Sequence, residues 1–192
     1  MITRREFLRA GTVAGVFSAI PGGAVSANTT TSSVAFEAIC DTRIDEGNQF
    51  LSEINQHAYR VHGIEADPGS VMAIIETAAA ENRPVVGLTN DDALLIAEQI
   101  ASGYGYTLTY KGTHSHASVE QIEHTLLISE VWQSDIELPL QQAENSWPQV
   151  IAKIIPELIT QKRPATEQTI SAKANRANSS PGHLVSWILQ PA

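Results

Sequence analysis

The chain has 192 residues, 43% of them hydrophobic, with 12 lysines and arginines against 21 aspartates and glutamates, a net charge of −9 at pH 7. That excess of acid argues against nucleic acid or an anionic membrane surface as partner, since both need a positive face. One cysteine, Cys40, excludes an intrachain disulfide, a cysteine-ligated iron–sulfur cluster, an attached c-type haem and a CxxC redox pair.

The N-terminus reads as an address rather than as part of a domain. Thr3-Arg4-Arg5-Glu6-Phe7-Leu8-Arg9 resembles the twin-arginine export motif at every position: a polar residue, Arg4 and Arg5, any residue, Phe-Leu and a basic residue. Ala10 to Ile20 is only mildly apolar and about half the length of a spanning helix. Pro21-Gly22-Gly23 breaks it, and Val25-Ser26-Ala27 offers a cleavage site before Asn28. The resemblance implies export of the folded chain by the twin-arginine translocase, to the periplasm or beyond, with no membrane span in the mature form. Without residues 1–27, which hold Arg4, Arg5, Arg9 and Glu6, 9 basic and 20 acidic residues remain, a net charge of −11. Residues 28–33, NTTTSS, read as a leader, and 34–192 as one domain.

Within that domain, Val34 to Cys40 reads as a short strand. Asp45 is the expected N-cap of a helix carrying Phe50, Leu51, Ile54 and Ala58. Tyr59 to Ile64 predicts a second strand. Asp67-Pro68 opens a helix whose apolar face holds Val71, Ile74, Ile75 and Ala78. Pro84 to Leu88 is short and wholly apolar, as buried parallel strands are. Thr89-Asn90-Asp91-Asp92 then gives a cap and an acidic first turn, with Gly103 as the expected left-handed C-terminal residue. Tyr106 to Tyr110 predicts a fourth strand. This alternation defines an α/β fold, a single three-layer domain with a mostly parallel sheet that resembles Rossmann-like and flavodoxin-like βαβ units.

The C-terminal third is less regular. Ser118 to His124 suits a helical turn, and Thr125 to Trp132 fits strand or helix equally. Ser146-Trp147-Pro148-Gln149 has capping-box form, and Pro156 is expected to kink or end the helix that follows. Gln161 to Pro181 reads as a loop and His183 to Leu189 as a last strand.

Ligands of parallel α/β sheets bind beyond the carboxyl ends of the strands. There the sequence places Asp41 and Arg43, Glu65 and Asp67, then Thr89, Asn90 and Asp91, as a candidate binding cleft. His114 and His116 lie one strand period apart, about 6.6 Å along one face. With Glu120 and His124 they form a candidate N/O set for zinc or another divalent metal. No GxSxG elbow or dinucleotide glycine loop is present. Cys40 reads as a buried small residue rather than a nucleophile. Two functions are therefore expected from different classes. The first is a non-catalytic exported protein, binding a small polar ligand or serving as accessory subunit of a larger exported redox enzyme. The second is a metal-dependent hydrolase using His114, His116 and His124, with Asp41 or Glu65 as a further ligand or base.

Overall fold

A computed structural model describes residues 34–65, 69–128, 130–160 and 166–192. The twin-arginine segment, the leader and Asp67 lie outside the described residues. In chain order the elements are β1 (Glu37–Asp41), α1 (Asp45–Ile54), β2 (Arg60–Ile64), α2 (Gly69–Ala80), β3 (Val85–Thr89), α3 (Asp91–Ser102) and β4 (Tyr106–His116). Then come β5 (Gln121–Ile128), α4 (Glu130–Ala143), a 3-10 turn (Glu144–Ser146), α5 (Trp147–Thr160), β6 (Thr166–Lys173) and β7 (His183–Pro191).

The strands form one seven-stranded sheet in the order β2-β1-β3-β7-β4-β5-β6. Only β1 with β2 and β1 with β3 pair in parallel; the other four pairings are antiparallel. The mostly parallel sheet expected from the βαβ rhythm is thus corrected to a mixed, mostly antiparallel one. Its cause is β7, which returns from the chain's end and inserts between β3 and β4, antiparallel to both. The apolar run of β7 predicted a buried strand, but apolarity carries no direction.

Three further expectations change. Residues 118–124 are not helical: a turn at 117–120 joins β4 to β5, which begins at Gln121. The expected loop at 161–181 contains β6, a strand alternating exposed residues with buried Ile170 and Ala172. Gly103 is right-handed at φ −65°, and Gly105 supplies the left-handed turn at φ +77°. At the helix ends, Asn90 caps α3 as expected, accepting from the Ala93 N–H at 3.0 Å. Asp45 instead starts α1 as its first residue, after Ile44. The Ser146 hydroxyl donates back to the Ala143 carbonyl at 2.6 Å, so it does not cap α5, which continues through Pro156 to Thr160.

Helices cover both faces of the sheet. Phe50 and Ile54 of α1, Ile136 and Leu140 of α4, and Trp147, Ile151 and Ile155 of α5 pack one face, against Ala38, Val86, Tyr110, Ile122 and Ile188. On the other face, Val71, Ile75 and Ala78 of α2 join Leu94 and Ala97 of α3 over Ile39, Val85, Val185 and Trp187. Strands β1 and β3 are buried throughout, whereas β5 and β6 alternate, leaving Glu123, Leu127, Thr169 and Ser171 exposed. Single-sided burial of this kind is open to antiparallel strands and accounts for their polar sequences.

Candidate functional site: a buried histidine pair and its unpartnered neighbours

Of the residues predicted to form a cleft at the strand ends, Asp41 and Arg43 pair with each other, and Thr89, Asn90 and Asp91 engage residues outside that set. Arg43 donates to Asp41 through Nε at 2.9 Å and Nη2 at 2.6 Å, and its backbone N–H adds a third bond at 3.0 Å. Burial alone would raise the Asp41 pKa, but these bonds and the guanidinium charge hold it below the usual carboxylate range. Thr89 is fully buried and accepts from Trp187 Nε1–H at 3.0 Å. The Asn90 side chain is spent as a cap, and Asp91 lies 2.9 Å from His183 Nε2. Glu65 is exposed. Cys40 is buried, and burial followed by the Asp41 charge pushes its thiol up to about 12, which leaves it protonated and inert.

The histidines do converge, on the opposite side of the sheet from Trp187. His114 of β4 and His124 of β5 are direct cross-strand partners, both buried, with Nδ1 2.8 Å from Nδ1. His114 Nε2 lies 2.8 Å from Ser186 Oγ of β7, which lies 3.0 Å from Tyr110 Oη. Positions 110, 112 and 114 share one face of β4. The middle one is Gly112, where an added Cβ would stand 2.7 Å from both Ser186 Oγ and Tyr110 Oη. The missing side chain lets Tyr110 and His114 reach one serine from either side. Trp147, first residue of α5, roofs the pair, its ring 4.4 Å from that of His114 and 5.3 Å from that of His124.

Burial lowers all three histidine pKa values. His124 falls to about 4, with His116 adding repulsion, and His114 falls well below its ordinary value. His116 is lowered by burial and by Arg176, against an opposing pull from Glu46 and from the backbone carbonyls of Ser118 and Gln121. Glu46 lies in the first turn of α1; its charge acts on His116, and that of His116 on His124. Three buried side-chain atoms there have no hydrogen-bond partner: Glu46 Oε2, His116 Nδ1 and His124 Nε2. Leaving such atoms unpaired costs about 1–3 kcal/mol each, so the arrangement asks for an occupant.

The segment 174–182 closes this end of the sheet. Arg176 N–H donates to the Val119 carbonyl at 2.8 Å, Asn175 N–H to Asn145 Oδ1 at 2.7 Å, and Asp45 N–H to Ser179 Oγ at 3.3 Å. It thereby ties the β4–β5 turn, the 3-10 turn and the start of α1 together.

Of the predicted metal set, His114 and His124 meet directly, and Glu120 is not with them. Glu120 is exposed in the β4–β5 turn, where it lines an open groove of about 590 Å³ with Ser118, Gln141, Ser171 and Lys173. Both ring nitrogens of His114 are occupied by His124 and Ser186. Among the described residues, no group of three His, Cys, Asp or Glu side chains converges to hold a metal. Sequence reasoning missed Glu46, Tyr110 and Ser186.

No protein-family model, curated protein or solved structure matches this chain. The chemistry of the site stands on these residues alone.

Proposed function

We propose that the chain is an exported, non-catalytic protein that binds a small polar molecule between Glu46, His116 and His124. The observation that carries the reading is the trio of buried, unpartnered side-chain atoms at one end of the sheet. Trp147 covers His114 and His124, and the 174–182 segment ties together the turns at that end. The imidazoles are held neutral by burial, which suits recognition by hydrogen bonds rather than by charge. In this reading the twin-arginine segment delivers the protein, already folded, to where the ligand is met.

The test is a thermal-unfolding screen of the exported protein against small polar compounds, with native mass spectrometry for anything retained on purification. A ligand at about a hundred times its Kd stabilises by about 2.7 kcal/mol, or roughly 5–10 °C for a domain of this size. The same shift should vanish in a His116→Ala variant. Metal content of the preparation separates this reading from a hydrolase: one metal per chain, lost with His116, would replace it.

A further inference from the structure

The sheet ends in two edges, and they are built differently. At one, β2 has only five residues, Gly63 among them. At the other, β6 has eight, Thr-Glu-Gln-Thr-Ile-Ser-Ala-Lys, without proline or glycine, and its pairing with β5 runs without a bulge. Among the described residues no strand lies beyond it. A long regular edge is a template for another strand, and shortness, proline or a bulge is what ordinarily blunts one.

One hydrogen bond tells which backbone groups face that edge. Just past β6, the Ala174 N–H donates to the Glu120 carbonyl at 3.2 Å, in step with the pairing of Lys173 with Gln121 and Ala172 with Ile122. The N–H and C=O of one strand residue point to the same side, and successive residues alternate. Gln168, Ile170 and Ala172, in phase with Ala174, therefore turn their backbone groups toward β5. Glu167, Thr169, Ser171 and Lys173 turn theirs to the open edge. The next residue in that phase, Asn175, has its N–H taken by Asn145 Oδ1 at 2.7 Å, so the open stretch stops at Lys173.

A second copy of β6 can pair with this edge antiparallel, and its register is then constrained. A slip by one residue sets open backbone groups against closed ones. The register that engages all four open residues sets Glu167 opposite the partner's Lys173 and Thr169 opposite the partner's Ser171, with Ile170 on the two-fold axis. Sliding it by one further pair leaves Glu167 or Lys173 with no β6 residue opposite. The same register puts opposite charges directly across from each other, a favourable cross-strand pair. Both side chains are exposed, and among the described residues neither has an ion-pair partner. It also joins like face to like face, since Ile170 and Ala172, buried on the helix-covered side, stay on that side in both copies.

We propose that the protein forms a two-fold dimer through β6, its seven-stranded sheet continuing into that of a second copy. Four hydrogen-bonded residue pairs exchange two bonds each, about eight main-chain bonds, close to the roughly ten of an ordinary interface. The charge pattern of β6 is self-complementary about Ile170, which selects a second copy over a foreign strand. The dimer does not depend on the ligand-binding reading above.

Sedimentation equilibrium of the exported protein between about 1 and about 100 µM should show dimers. Thr169→Pro removes an N–H that points away from β5, so the variant should keep the far-ultraviolet signal of the folded chain and lose the dimer. Glu167→Lys and Lys173→Glu each set like charges opposite one another and should weaken association about tenfold, and the double variant should recover it. A wild-type monomer across that range overturns the proposal, as does a dimer that a folded Thr169→Pro variant leaves intact. Charge variants that associate as wild type does, or a double variant that fails to recover, overturn the register. Should Thr169→Pro misfold, the charge variants decide alone, because both side chains lie in solvent.

Discussion

Acidification should destabilise this fold well before its carboxylates titrate, because the histidine pair is buried neutral. His124 has a pKa of about 4 in the folded chain against an ordinary 6.5, the largest cause being burial. Between those values the unfolded chain binds more protons than the folded one, so stability falls as pH drops through the window. Worked through for one group, moving from about pH 7.5 to about pH 5 removes about 2 kcal/mol through His124 alone. His114 and His116 are lowered by burial too and act in the same direction. Glu46 opposes the effect at His116, and Arg176 reinforces it. Asp41 is held below the usual carboxylate range by Arg43, so its own contribution is lost only at more acidic pH.

Urea unfolding followed by tryptophan fluorescence at the two pH values measures this directly. With a slope of about 2 kcal/mol per molar, the wild-type midpoint should fall by roughly 1 M or more. In His124→Asn, whose amide oxygen can still accept from His114, the fall should shrink by about 1 M, with the remainder due to the other two histidines. An identical pH response in wild type and variant would refute the assignment of a neutral, desolvated His124.

Other consequences follow from close packing. Gly87→Ala places a Cβ 2.3 Å from two ring carbons of fully buried Trp187, so the domain should lose about 3 kcal/mol, read as a lower thermal midpoint and an altered near-ultraviolet signal. Thr89→Val keeps the shape but strands Trp187 Nε1–H, which should cost about 1–3 kcal/mol in urea unfolding while leaving ligand affinity unchanged. Gly112→Ala drives a methyl to 2.7 Å from Ser186 Oγ and Tyr110 Oη, so the His114 and His124 tautomer signals should change. Unaltered His114 and His124 spectra in that variant would show that the serine is not the link between them.

Much of the first half was legible because its signals are local. Strands β1 and β3 are buried throughout and centred on apolar runs, Ala38 to Cys40 and Val85 to Leu88, and Asn90 with Asp91 and Asp92 announces the start of α3. Helix α2 lay in its apolar periodicity. What failed was non-local. Strand β6 shows only Ile170 and Ala172, with Ala174 just beyond it, to the core; its other face is polar and uncovered, so it read as loop. The first residues of β5, within 118–124, read as a helical turn that would put Glu120 and His124 on one face. Pairing with β4, through His114 against His124, overrides that spacing.

The histidines themselves could be found by counting, but their partners could not, and the partners decide the chemistry. An i, i+2 pair of histidines on a strand suggested a metal site. The strand stays paired, and Gly112 instead makes room for a serine that arrives 72 residues after His114 on β7. That serine exists at this place only because β7 inserts between β3 and β4, the event that also turns the sheet mostly antiparallel. The topological correction and the chemical one therefore have a single cause. Had the sheet been mostly parallel, with β4 beside β3, His114 would have kept Nε2 free and the metal reading would have had its ligand. With β7 in place, that nitrogen is taken, and the unmet hydrogen-bonding capacity of the pair is left on His124 Nε2.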